Sequence, residues 1–195
     1  MTLPTIYTVG HSARSLDELI GLLGAVEMRE LVDVRSSPRS RRHPHFAAGV
    51  LARALTTHGI AYRHERALSG QRHPRQQSPN GAWRHRYFRG YADYMNTDGF
   101  RVALDHLQAR ATQRSTCLLC AEVDWRRCHR RLICDALTVR GWRVLHLGLR
   151  ERPSYHELTP FAVIADEHTI TYPPPQSGAS SEGRLEESRS RFAQS

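Results

Sequence analysis

The stretch TCLLCAEVDWRRCHRRLICDALTVRGWRVLHL, Thr116 to Leu147, decides the fold. Thr116 to Ala121 is a short apolar run, the pattern of a central strand with both faces covered in a parallel sheet. Cys128 to Arg140 reads as a helix with Ile133, Cys134 and Leu137 on its apolar side. Gly141 ends it, and Trp142 to Leu147 is again a strand. Strand, crossover helix, strand is a unit that calls for a parallel sheet and a right-handed connection.

The alternation continues toward the N-terminus. Ile6-Tyr7-Thr8-Val9 is a strand that stops at Gly10-His11-Ser12. Ser15 and Glu18 make a capping box, and Leu16, Leu19, Ile20 and Leu23 follow at helical spacing. Leu31-Val32-Asp33-Val34 is a second strand, ending at Arg35-Ser36-Ser37-Pro38. Val50 to His58 is a helix stopped by Gly59, and Ile60-Ala61-Tyr62 a third strand. Trp83 to Arg110 is mostly helical, with Tyr91, Tyr94, Met95, Leu104 and Leu107 as core contacts. Phe161 to Ile164 and Thr169 to Tyr172 form a closing hairpin around Asp166-Glu167. The expectation is one α/β domain over residues 1–172. Its sheet is mostly parallel and Rossmann-like, with about five strands flanked by helices, plus the C-terminal hairpin. Residues 173–195 are Pro, Ser, Gly, Glu and Arg with almost no apolar side chains, which predicts a disordered tail. The loop from Ala67 to Ala82 is long and polar and is expected to order on binding.

Charge narrows the partners. All 28 basic residues of the 195 are arginine, and the net charge is +9. The segment Arg35–Arg89 holds twelve arginines and one acid, Glu65, a net of +11 that leaves −2 for the remainder. Six of the twelve histidines lie there too. One basic block in an otherwise near-neutral domain points to an anionic partner, nucleotide or nucleic acid. A coding bias toward arginine accounts for single residues better than for their clustering. The absence of lysine excludes a Walker-type phosphate loop and a Schiff-base mechanism. No apolar run reaches the ~18 residues of a membrane span. The N-terminus also lacks a basic segment followed by an apolar one, so a cytoplasmic location is expected.

Ligands of an open parallel sheet bind beyond the carboxyl ends of its strands, where strand order reverses. The residues after each strand are therefore the candidates: His11 and Ser12; Asp33, Arg35, Ser37 and Arg39; Cys120 and Glu122; Cys128, His129 and Arg130. On a strand, Cys120 shares a face with Leu118 and Glu122, while Cys117 points the other way with Leu119. Cys117 and Cys134 thus read as core thiols. Cys128, at a helix start beside Arg127 and Arg130, sits where thiolate is favoured.

Leu118-Leu119-Cys120-Ala121-Glu122 and Cys128-His129-Arg130 belong with three other motifs. These are Tyr7-Thr8-Val9-Gly10-His11-Ser12, Leu31-Val32-Asp33-Val34-Arg35-Ser36-Ser37-Pro38 and Tyr91-Ala92-Asp93-Tyr94-Met95. Together, over about Ile6 to Leu147, the chain resembles the domain of unknown function 488 family. The resemblance implies an α/β fold and brings no established reaction. The arginine- and histidine-rich stretch Gln71–Arg86 departs from the family pattern.

Three readings of the cysteine–histidine cluster follow. In the lead reading the protein is an enzyme acting on a phosphate-bearing nucleotide or nucleic-acid substrate. Cys120, Glu122, Cys128, His129 and His11 form its reactive centre. Arg35, Ser12, Asp33, Ser37, Arg39 and Arg130 bind phosphate, and Tyr62, Trp83, Tyr87, Phe88 and Tyr91 stack on bases. In the second the protein is a non-catalytic nucleic-acid-binding module. In the third it is a thiol redox or zinc protein, with Cys120, Cys128 and His129 as ligands and His11 or Glu122 as the fourth, although the spacing matches no common zinc module. Cys120 to Arg126 also has the Cys-x5-Arg spacing of a phosphatase loop, but Glu122, Asp124 and the absence of glycine oppose a bound anion. Asp33 pairing with Arg35, and Glu122 pairing with Arg126 or Arg130, are the purely structural alternatives.

Overall fold

In the computed structural model, residues 3–175 are described, except 41 and 167. Five strands form a parallel sheet: β1 (Thr5–Gly10), β2 (Glu30–Asp33), β3 (Ala61–His64), β4 (Thr116–Cys120) and β5 (Arg143–Leu147). A sixth, β6 (Ser154–Tyr155), adds antiparallel to β5, and the order across the sheet is β3-β2-β4-β1-β5-β6. β7 (Val163–Asp166) and β8 (Thr169–Thr171) form a separate antiparallel hairpin. The architecture is therefore the expected mostly parallel α/β sheet with a closing hairpin. The extra strand is two residues at an edge, too short to leave a periodic signal. Of the predicted tail, residues 176–195 lie outside the described residues, as does Glu167 of the predicted hairpin turn.

Two apolar layers clothe the sheet, because alternate strand residues face opposite sides. Val9, Leu31, Cys117, Leu119 and Leu147 pack with Leu19 and Leu23 of α1 (Leu16–Gly24) and Leu51 and Leu55 of α2 (Ala48–Thr57). Ile6, Val32, Leu118, Cys120 and Val144 face the opposite layer. That layer is α3 (Arg86–Met95), α4 (Asp98–Ala111) and α5 (Arg130–Val139), with Ile170 of the hairpin. The capping box at Ser15 and Glu18 is formed. Each buried leucine contributes ~1.5–3 kcal/mol.

One expectation changes. The single helix over Trp83–Arg110 is two helices: Asn96 closes α3, and the Thr97 side chain accepts the Phe100 N–H to start α4. The loop after β3 packs on α3. Asp93, 4% exposed, accepts the Arg75 N–H (2.8 Å), the Ser78 hydroxyl (2.6 Å) and the Asn80 amide (2.7 Å). One buried carboxylate thus gathers a polar loop that composition alone reads as free.

The topology fixes where a site belongs. β1 and β4 are neighbours, yet α1 leaves β1 for one face and α5 follows β4 on the other. The crevice between their carboxyl ends is the switch point of the sheet.

Candidate functional site

β4 ends at Cys120, and a 3-10 turn at Trp125–Arg127, capped by Asp124, folds the chain back so that Cys128 and His129 precede α5. His129 Nδ1 then lies 3.9 Å from Cys120 Sγ and 3.7 Å from Cys128 Sγ. The three atoms lie within 4.8 Å of one another. Both thiols are buried, and a Cβ added at Gly70 would come within 2.8 Å of His129 Nδ1, so the loop after β3 passes directly over the imidazole.

Arg130 is buried behind the thiols. It donates to Thr8 Oγ1 (3.2 Å) and to the carbonyls of Glu122 and Val123. Burial pushes the Cys128 thiol up, but hydrogen bonding with Cys120 and His129 and the charge of Arg130 outweigh it and hold Cys128 well below the ordinary thiol range. Cys120 goes the other way, driven up by its bond to Cys128 and by burial. One proton shared between two close sulfurs has this effect.

A second buried group stands beside the trio. Arg35 Nε and Nη2 grip Asp33 (2.9 and 2.5 Å), Nη2 also donates to the Phe46 carbonyl (2.9 Å), and Nη1 donates to His11 Nε2 (3.2 Å). Tyr62 donates to Asp33 as well (2.7 Å). His11 Nδ1 faces the Ser12 carbonyl at 2.9 Å. A carbonyl only accepts and a guanidinium only donates, so the proton sits on Nδ1 and the ring is neutral. Burial, opposed by the Ser12 bond and reinforced by the Arg35 charge, takes the His11 pKa down to about 4.

This histidine makes stability depend on pH. Its pKa is 6.5 when unfolded and about 4 when folded. Above 6.5 neither state carries the proton and the contribution is intact. As pH falls from 6.5 toward 4 only the unfolded chain gains it, so stability falls, by ~1–2 kcal/mol at pH 5 once screening by cavity water is allowed for. Urea unfolding from pH 7 to 4.5 is expected to show a shallower pH slope in His11→Gln than in the parent protein; equal slopes exclude the assignment.

Above the trio opens a cavity of about 560 Å³. Cys120, Cys128, His129 and Glu122 line it, with His11 and Arg35 to one side. The loop after β2 supplies Ser36, Ser37, Ser40, Arg42 and His43. Gly70, Gln71, Tyr87, Phe88 and Arg127 complete the wall. Of the candidates from sequence, seven thus share one cavity: Cys120, Glu122, Cys128, His129, His11, Arg35 and Ser37. Asp33 and Arg130 are buried supports behind it. Ser12, at φ 45°, spends its N–H on the Ala121 carbonyl (2.8 Å), and Arg39 is exposed outside the lining. Four of the five N–H groups of Arg35 are engaged with protein, so one remains to face the cavity.

Among the aromatic candidates, Tyr87 and Phe88 line the cavity while Trp83 and Tyr91 belong to the core. Arg126 of the Cys-x5-Arg spacing stacks on Trp125 (4.4 Å) and pairs with Asp124, away from the thiols. Arg42, Ser40, His43 and Arg127 were not singled out by sequence. They carry no motif, but the rule that selected the others, position just beyond a strand's carboxyl end, also covers them.

On the far side of Arg130 runs a polar chain. Asp135 accepts from His156 Nε2 (2.9 Å), and His156 Nδ1 must then accept from His146 Nε2 (3.1 Å). His146 Nδ1 accepts from Thr8 Oγ1 (2.7 Å), which itself accepts from Arg130. Every proton points one way, from the guanidinium to the carboxylate.

The fold and site define a doubly wound α/β protein with a buried cysteine–histidine–arginine centre at its switch point. The chain belongs to the family described as Domain of unknown function DUF488, whose model matches residues 15–137. That span contains Cys120, Cys128, His129 and Arg130 and leaves His11 outside. No curated protein and no solved structure gave a match. Among the described residues no helix is long and apolar enough to cross a membrane.

Proposed function

We propose that the protein is an enzyme acting on a phosphate-bearing nucleotide or nucleic-acid substrate, with Cys120, Cys128 and His129 as the reacting centre. The observation that carries this reading is the convergence of two thiols and an imidazole in a cavity at the switch point. The volume suits a nucleotide-sized ligand. Arg42 and Arg127 line the wall, and neither pairs with a carboxylate among the described residues. They are the phosphate ligands, with Ser37 and the one remaining N–H of Arg35. Tyr87 and Phe88 offer a face to a base. Glu122, exposed at the rim, transfers the proton, because both nitrogens of His11 are already engaged by Arg35 and Ser12. Much of the basic block lies on the loops that leave the carboxyl ends of β2 and β3, which draws anions to the mouth. Four free thiols suit a reducing, cytoplasmic setting.

The test is a binding and turnover screen of nucleotides and short oligonucleotides at two salt concentrations. Affinity is expected to fall with salt as released counterions dictate, and to fall at least ~100-fold in Arg42→Ala/Arg127→Ala, two charge-assisted contacts of ~1.5–3 kcal/mol each being lost. Cys120→Ala and His129→Ala are expected to bind and not turn over. Absence of any phosphate-bearing ligand at low salt sinks the reading. Binding with no turnover by the parent protein leaves a non-catalytic nucleic-acid-binding module in its place.

A further inference from the structure

We propose that Cys120, Cys128 and His129 hold one zinc-class divalent cation whose fourth coordination position opens into the cavity. The inference gives the reacting centre of the function proposed above its chemistry, and rests on that reading only for the role of the cation, not for its binding.

Two sulfurs converge on one nitrogen. An imidazole nitrogen has a single in-plane site, a lone pair or a proton, and cannot serve two thiols at once. A cation between the three atoms satisfies all of them. The spacing agrees: with metal–sulfur bonds of ~2.3 Å and metal–nitrogen bonds of ~2.0–2.1 Å, tetrahedral coordination sets sulfur and nitrogen ~3.6 Å apart. The distances here are 3.7 and 3.9 Å, with the two sulfurs within 4.8 Å of each other, so both sulfur–nitrogen spacings lie within a few tenths of an ångström of that value. His129 Nε2 is buried without a hydrogen-bond partner, so no contact there fixes the tautomer, and once both thiols are deprotonated on a cation the ring proton can sit on Nε2 and leave the Nδ1 lone pair to the metal. Two thiolates and a dication sum to zero charge, which leaves Arg130 facing no net cation.

The unusual sequence spacing has a structural reason. Cys120 ends a strand and Cys128 precedes a helix, and the 3-10 turn at Trp125–Arg127 brings them together. Neither residue named from sequence completes the set. Both nitrogens of His11 are engaged, by Arg35 and Ser12. Glu122 is exposed and outside the close trio. Three protein ligands with an open fourth position is the pattern of a catalytic rather than a structural zinc site. A cation so placed polarises a phosphoryl oxygen or acidifies a bound water at the cavity floor.

Cys134, His146 and His156 also lie close together. There each imidazole nitrogen already has a partner in the chain from Arg130 to Asp135. Cys134 belongs to the core, and burial pushes its thiol up. That cluster is complete without a metal.

The test is a Co(II) titration of the reduced, metal-free full chain, followed optically. One equivalent is expected to bind, with thiolate-to-metal charge transfer in the near ultraviolet and the visible bands of a four-coordinate ion, and Zn(II) is expected to displace it. Cys120→Ser, Cys128→Ser and His129→Ala should each lose stoichiometric binding while keeping the far-ultraviolet circular dichroism of the parent. His156→Gln should keep the bands. The proposal is overturned if the parent protein shows no charge-transfer band at stoichiometric Co(II), or if the band persists in Cys120→Ser/Cys128→Ser. A bound cation with no affinity for any phosphate-bearing ligand refutes the proposed function alone. Turnover by the metal-free protein that Zn(II) leaves unchanged refutes the cation's role and spares that function.

Discussion

Gly10→Ala is expected to leave little folded protein, or to cost more than ~4 kcal/mol where it folds, among the largest effects a single substitution produces. Gly10 pairs with Cys120 across β1 and β4. A Cβ at this position would fall on the backbone carbonyl of Glu122, 2.5 Å from its carbon and 2.8 Å from Val123 Cα. The obstruction is main chain, so no rotamer relieves it. Nor is that carbonyl free to retreat, because Arg130 donates to it from beneath. The substitution must either separate two central strands or displace the loop that carries Cys128 and His129. Thermal and urea unfolding measure the outcome. At ~2–4 °C per kcal/mol for a chain of this size, Tm should drop by at least ~8 °C. A drop below ~3 °C would show that the strand and loop have room to part.

Asp135→Ala is expected to cost ~3–5 kcal/mol, the toll of deleting one partner from a buried charged network. Asp135 is fully buried. Its Oδ1 accepts from His156 Nε2 and the Thr159 N–H (3.0 Å), its Oδ2 from the Thr159 hydroxyl (2.6 Å) and the Tyr172 hydroxyl (2.8 Å). Alanine leaves all four donors without an acceptor. Asp135→Asn makes the sharper comparison. The Thr159 N–H on Oδ1 cannot become an acceptor, but both hydroxyls on Oδ2 can, so an asparagine with its oxygen at Oδ1 and its amide at Oδ2 keeps most of the bonds. It should therefore cost less than half as much as alanine. Equal losses for the two variants would mean that the carboxylate charge, rather than the pattern of donors and acceptors, holds the network.

Much of the architecture was legible because period and punctuation agree along the chain. The apolar run at Thr116–Cys120, the capping box at Ser15 and the glycine stops Gly59 and Gly141 each act locally, and the structure keeps each one. The break at Asn96-Thr97 was hidden because a threonine inside a helical pattern announces nothing until its hydroxyl is seen to cap Phe100. The site was half legible for a related reason. A topological rule names the ends of strands without knowing their order, and so reached His11, Arg35, Cys120, Cys128 and His129. It did not tell a residue that lines a cavity from one that supports it. Arg35 and Arg130 read as phosphate forks from sequence; Asp33, the Glu122 carbonyl and Thr8 engage most of their donors instead. Those partners are distant in sequence or belong to the main chain, where residue type carries no signal. Asp93 stood in a quoted motif, but its work, gathering the loop after β3, depends on donors that only the fold delivers.

The cavity draws its floor and its walls from different spans of the chain. The thiols and imidazole hang from β4 and the start of α5, wedged against β1 at Gly10, while Ser37, Arg42, Gln71 and Tyr87 come from segments that cross the mouth. Chemistry and choice of ligand are thus separable in the gene. A graft of residues 36–43 would exchange much of what enters the pocket, whereas Gly70 against His129 and the buried Asn80 and Trp83 tie residues 70–88 to the floor and the core, and any change at the seam between the two central strands would unsettle both. That modularity makes the mouth the place to redesign and the seam the place to leave alone.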